Sequence, residues 1–152
     1  MPMLKDKFPT YEGFAKSMLK DIYTEQKLEE CGELVATELA SGVLVNHGPG
    51  TFTFQAMPRL AQIAPIHAMV HQGELVVCAQ NDFSPEPETG RHDGGAGLVL
   101  RVVDGQLEVV PPSEHGIDAA GDHRGLVAVD PPGVLLFARN NGALHGWRRA
   151  RR

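Results

Sequence analysis

From Leu34 to Arg148 the chain is a succession of short apolar runs, each closed within a few residues by glycine, proline, asparagine or aspartate. Runs this short bury their side chains only by pairing, and turns this short join antiparallel neighbours. The clearest case is Ser41–Phe54, SGVLVNHGPGTFTF. Val43, Leu44 and Val45 suit a pleated surface, and Asn46-His47-Gly48-Pro49-Gly50 supplies residues that accept positive φ or preset a turn. Thr51-Phe52-Thr53-Phe54 then alternates, which puts both phenylalanines on one face. A β-hairpin is expected here.

The same pattern extends down the chain. Leu34–Asn46 and Thr51–Met57 form the first pair, followed by the proline-bounded connector Pro58–Pro65. Ile66–His71 and Glu74–Ala79 meet at Gln72-Gly73, and Leu98–Val103 and Gln106–Val110 meet at Asp104-Gly105, a strong hairpin signal. Gly125–Val129 and Val134–Ala138 turn at Pro132-Gly133, and Ala143–Arg148 follows the turn Asn140-Asn141-Gly142. Polar connections fill Gln80–Ala96 and Pro112–Asp122. No helix separates these strands, so the sheet is an antiparallel meander and the chain is mainly β. Gly 17 and Pro 11 in 152 residues fit such a turn-rich chain.

Ahead of the strands, Thr10 can cap a helix of about three turns whose stripe is Tyr11, Phe14, Met18, Leu19 and Ile22. Thr24–Cys31 reads as a second, short helix stopped by Gly32. The expected organisation is a helical segment, 1–33, and a β domain, 34–152, in one structural unit. The net charge of −5 gives no global attraction for nucleic acid or an acidic membrane surface. The run Trp147–Arg152 carries four arginines and reads as a solvated terminus. No apolar leader or bilayer-length run is present, so a cytoplasmic location is expected. Cys31 and Cys78 lack CxxC spacing; two buried free thiols are expected, with a disulfide as the alternative.

The ordered series SGVLVNHGPGTFTF, MPRLAQIAP, AQND, GRHDGGAGLVLRVVDGQLEVVPPSEHGI, GDHRGLVAVD and LFARNNGALHGWRR resembles the C-terminal portion of FG-GAP/VCBS-repeat β-propellers of the UnbV-associated type. KFPTYEGFAKSMLKDIY is similar to a helical insertion in some of them. The resemblance implies blades of four antiparallel strands with a calcium loop, D-x-D-x-D-G-x-x-D, between the first two. The chain departs there: the corresponding stretches are MVHQGELVV and VAVDPPGVLLF, in which Asp130 alone remains of the acidic ligands. Calcium takes six to eight oxygens, roughly, so no calcium or other cofactor is expected. On blades, the strands before Met57 are the outer two of one blade, Ile66–Val110 is a complete blade, and Gly125–Arg148 gives three strands of another. About two and a half blades cannot close a ring, since propellers need roughly four to eight. The expectation is therefore a non-enzymatic binding or assembly module that self-associates as a homo-oligomer, with a protein or carbohydrate ligand. Phe52, Phe54 and Trp147 are the interface candidates.

Asn81, Gly90, Arg91, Asp93 and Gly97 fall on positions the family keeps, so Asn81, Arg91 and Asp93, together with His123 from a separate polar run, Asp122-His123-Arg124, are the candidate ligand rim. In a structural reading, Arg91 and Asp93 pin the loop by ion pairing. His67, His71 and Glu74 spell HxxxHxxE. On a helix that spacing holds zinc, but on a strand the imidazoles sit about 13 Å apart, so no metal site is assigned. No GxSxG, Cys–His pair or phosphate-binding loop is present, and His115 beside Ser113 and Glu114 reads as a polar turn. The rival readings are a small hydrolase or metal enzyme using His67, His71, Asp93 and His123, and a propeller remnant without selected activity.

Overall fold

The structure, a computed structural model, describes residues 2–129 and 133–148. Asp130, Pro132 and the terminal arginines Arg149, Arg151 and Arg152 lie outside the described residues. The chain falls into two compact units, Met1–Leu39 and Ala40–Arg152.

The first unit holds four short helices: α1 (Pro2–Lys7), α2 (Tyr11–Ala15), α3 (Leu19–Ile22) and α4 (Glu25–Glu29). Thr10 and Thr24 cap α2 and α4 as expected, accepting from the Gly13 and Lys27 backbone N–H groups. The three-turn helix does not form; it breaks between Ala15 and Leu19. Ser17 Oγ donates to the Phe14 carbonyl at 2.6 Å and competes with the helical ladder, while the Asp21 carboxylate accepts from Met18 N–H at 2.7 Å and starts a new turn. The apolar stripe consequently does not dock as one face, and Tyr11, Met18 and Leu19 are exposed. Cys31 is exposed and Cys78 buried, both free, which corrects the expectation of two buried thiols. Among the described residues no helix is long and apolar enough to cross a membrane.

The second unit is mainly antiparallel β, in three small sheets of which none is closed. A hairpin pairs β1 (Gly42–Asn46) with β2 (Phe52–Ala56). A four-stranded meander follows in the order β3 (Ile66–Gln72), β4 (Leu75–Gln80), β5 (Leu98–Val103) and β6 (Gln106–Val109). After the single-turn helix α5 (Pro112–His115) comes a three-stranded meander of β7 (His123–Val129), β8 (Val134–Arg139) and β9 (His145–Arg148). The strand expected over Leu34–Asn46 begins only at Gly42. Its partner β2 ends before Pro58, and the Gln62 side chain closes the ladder by bonding both backbone groups of Ser41 and the Met57 carbonyl.

Sheet alternation makes the four-stranded sheet the middle layer. On one face Val77 and Val99, cross-strand partners, pack with Leu126, Leu135 and Phe137 of the third sheet. On the other, Cys78 and its partner Leu98, with Leu100, pack against Met57, Ala61 and Val43 from the first hairpin and its connector. Both faces of one sheet are thus buried, as its near-continuous apolar strands β4 and β5 require. The outer strand of the third sheet, β9, is an edge.

Candidate functional site

Two β-bulges build the densest polar cluster. The register of β3 on β4 shifts between Ile66 and Ala68, and that of β7 on β8 between His123 and Gly125, so His67 and Arg124 are the extra residues. A bulge re-aims its side chain, and here the two strands lie against each other, so the re-aimed side chains meet. Arg124 Nη1 lies 2.9 Å from His67 Nε2, and Nη2 donates to Asp82 Oδ1 at 2.5 Å and Asp122 Oδ2 at 3.2 Å. Arg124 Nε also lies 2.8 Å from Asp122 Oδ1, an ion pair whose angle makes no hydrogen bond. Asn140 Nδ2 adds a second donor to Asp122 Oδ2.

The electrostatics follow from these contacts. Hydrogen bonds from the Ser84 hydroxyl and backbone N–H, then from Arg124, hold the Asp82 carboxyl well below the usual carboxylate range. The Arg124 pKa is raised, chiefly by Asp82. Ligand atoms of His67, Asp82 and Asp122 all lie within 4.8 Å of one another, close enough to share a metal ion. The centre of that triangle belongs to the Arg124 guanidinium, which is already the cation the carboxylates need. The cluster therefore joins the second sheet to the third, and Asp82 within it is shared between Arg124 and the Ser84 hydroxyl, which donates to Oδ1 at 2.6 Å.

Asn81, next to the cluster, is a clamp rather than part of an open rim. It is buried at φ 85°, accepts from Gly95 N–H at 2.8 Å, and donates to the carbonyls of Gly95 at 2.7 Å and Gly121 at 3.0 Å. A Cβ on Gly95 would stand 2.8 Å from Asn81 Oδ1, so the clamp needs glycine there. Arg91 and Asp93 are exposed and form no ion pair with each other among the described residues; Arg91 instead lies over the Phe83 ring, 4.9 Å from its centroid. The loop is pinned by Asn81 and by an antiparallel bridge between Asp82 and His92. His123 is core, not rim: it is fully buried, packed edge-on against Phe137 at 5.3 Å and beside His145 at 6.3 Å, with neither ring nitrogen hydrogen-bonded. Burial pushes its pKa down, opposed by the Gly121 carbonyl and Asp122 and assisted by Arg139 and His145. Among the described residues no hydrogen bond or ion pair joins any two of His67, His71, Asp93 and His123.

Two surfaces remain. Leu44, Phe52 and Phe54 share the outer face of the first hairpin and are 68%, 55% and 44% exposed. Phe54 lies over Gly42, whose Cβ position is 2.2 Å from the ring. At the other end of the stack the outer face of the third sheet presents Val127, 53% exposed, opposite Leu136, and Val129 opposite Val134. Between the second and third sheets, at the end far from Arg124, lies a cleft of ≈ 1220 Å³. Leu75, Val77 and Val99 line it, Trp147 on β9 forms one wall, and Arg101 and the α5 residues Glu114 and His115 stand at its polar side.

Sequence reasoning named His67, Asp122, Arg124 and Trp147 but missed Asp82 and Arg101. Asp82 had one signal, its place directly after Asn81 where β4 stops. Comparisons with protein-family models, curated proteins and solved structures find no match in any of the three.

Proposed function

We propose that the chain is a non-enzymatic assembly module, an incomplete β-propeller of the FG-GAP/VCBS kind whose ring is completed by further copies. The single observation that carries this reading is the pair of unpartnered apolar sheet faces at opposite ends of the stack, Leu44–Phe52–Phe54 and Val127–Val129–Val134–Leu136. Inside the chain, faces of this kind are covered twice by sheet-on-sheet packing. The meander order within the second and third sheets, and the contact of their first strands β3 and β7, support reading them as neighbouring blades. The faces differ, one aromatic and one aliphatic, so the contact is head-to-tail, which closes into a ring when the rotation allows. No calcium or other cofactor enters this reading.

The test is the solution mass by light scattering. The native chain is expected at a multiple of the single-chain mass, and Phe54→Arg or Val127→Arg at the single-chain mass. Mixing those two variants restores one good face from each and should yield pairs. A native chain that stays single at high concentration sinks the proposal, and a Val127→Arg chain that still pairs with itself sinks the head-to-tail geometry.

A further inference from the structure

We infer that the cleft beside Trp147 is a binding site for a flat apolar anion, an aryl carboxylate or its sulfonate or phosphate counterpart. The site is independent of the assembly faces: its lining comes from the inner surfaces of the second and third sheets and from α5. At ≈ 1220 Å³ it is roomy for a small ligand. Its floor is aliphatic, from Leu75, Val77 and Val99, so the body of the ligand must be apolar. Trp147 is half-buried against that floor and adds aromatic surface to the lining, which suits a flat ring.

The polar lining is biased toward donors. Arg101 makes no hydrogen bond among the described residues; its nearest carboxylate is Glu114, at 3.7 Å with both side chains about half exposed. Burial pushes the His115 pKa down against the pull of Glu114, which favours the neutral ring. Its Nδ1 accepts from Ile117 N–H at 2.9 Å, which fixes the proton on Nε2 and leaves that N–H without an acceptor. The Trp147 indole N–H likewise has no acceptor among the described residues. Arg101, His115 and Trp147 donate, Gln72 and Ser113 can donate or accept, and Glu114 alone only accepts, so the lining favours an acceptor-rich ligand, and Arg101 is the group that makes it an anion. Glu114 opposes that charge. Removing Arg101 and removing Glu114 must therefore act in opposite directions.

Trp147 is the chain's single tryptophan and reports on the site by energy transfer. The probe is anilinonaphthalene sulfonate, with neutral phenylnaphthylamine as control, titrated into the full chain while Trp147 emission is followed. Saturable binding is expected, with the anionic probe favoured about tenfold, as one charge-assisted bidentate contact allows. Arg101→Gln should erase that preference and Glu114→Gln should raise it several-fold; both residues are half exposed, so folding is not at stake. Equal affinity for the two probes, or a preference that ignores either substitution, overturns the inference. So does loss of the saturable phase in Phe54→Ser, which would place the probe on the first hairpin instead.

Discussion

The end of β4 and the start of β7 each bury a polar side chain almost completely, and they treat it in opposite ways. Asn81, 1% exposed, makes hydrogen bonds to three backbone groups, whereas neither ring nitrogen of His123, 0% exposed, makes one, although the Gly121 carbonyl lies close enough to act on its charge. The carbonyl of Gly121 that Asn81 bonds is only two residues before His123, so the contrast is not one of general environment. It is one of direction. Asn81 leaves its strand at positive φ and points into the backbone of two loops, while His123 precedes a bulge and packs against the rings of Phe137 and His145. A saturated buried amide stabilises by its hydrogen bonds; an unsaturated buried imidazole survives on packing and on remaining neutral.

The largest expected effect tests the first half of that contrast. Asn81→Ala strands the Gly95 N–H and two carbonyls and leaves an alanine in the left-handed region, so urea unfolding should show a loss of about 3–4 kcal/mol. If Asn81 served a ligand instead of the fold, the unfolding midpoint would not move.

His123 supplies the next effect, and its sign can be worked out. The folded pKa is depressed below the unfolded value of about 6.5, so the unfolded chain binds the proton more readily. Stability is then full above that pH and falls as pH drops through it. Protonation would set a cation beside Arg139 and His145 with only Asp122 to balance it. Between pH 7.5 and 5 the native melting temperature should fall, and His123→Leu should flatten most of that fall while gaining on the order of 1 kcal/mol at neutral pH. A residual slope remains, because His115 is shifted in the same direction. An identical pH profile in His123→Leu would mean that the buried imidazole is not the group responsible.

The strand order was legible because hairpin turns announce themselves. Asp104-Gly105 adopts positive φ at both residues, as the sequence requires of a two-residue turn, and Asn141 alone adopts it in the turn between β8 and β9. The inner positions were legible by alternation, with Val77, Val99 and Leu135 all buried. The polar cluster was not, because alternation counts residues and a bulge adds one. His67 and Arg124 are both extra residues, and no pattern in either strand says where the register slips. The helical segment failed for a related reason: periodicity over Tyr11–Ile22 is real, but the local bonds of Ser17 and Asp21 break the ladder that periodicity presumes. The cleft was invisible, since Arg101 and Trp147 come from strands of different sheets.

The smallest global effect belongs to Arg124, and it separates a cross-brace from a binding site. Its side chain is 34% exposed and that of its partner Asp82 22%, so water and salt screen the pair and its contribution to overall stability is small. What only arginine supplies is geometry: the planar fork reaches Asp82, Asp122 and His67 at once, and a lysine ammonium cannot. Arg124→Lys keeps the charge and should leave the melting temperature almost unchanged near neutral pH, while amide hydrogen exchange accelerates around the Asp82–His92 bridge and the start of β7. Asp82 adds a second check, because its depressed pKa means its contribution is present above about pH 4 and lost on further acidification. That acid limb should shrink in Arg124→Lys without vanishing, since the Ser84 hydrogen bonds to Asp82 are untouched. Unchanged exchange at the bulges, together with an unchanged acid limb, would show that Arg124 does not brace β3 against β7.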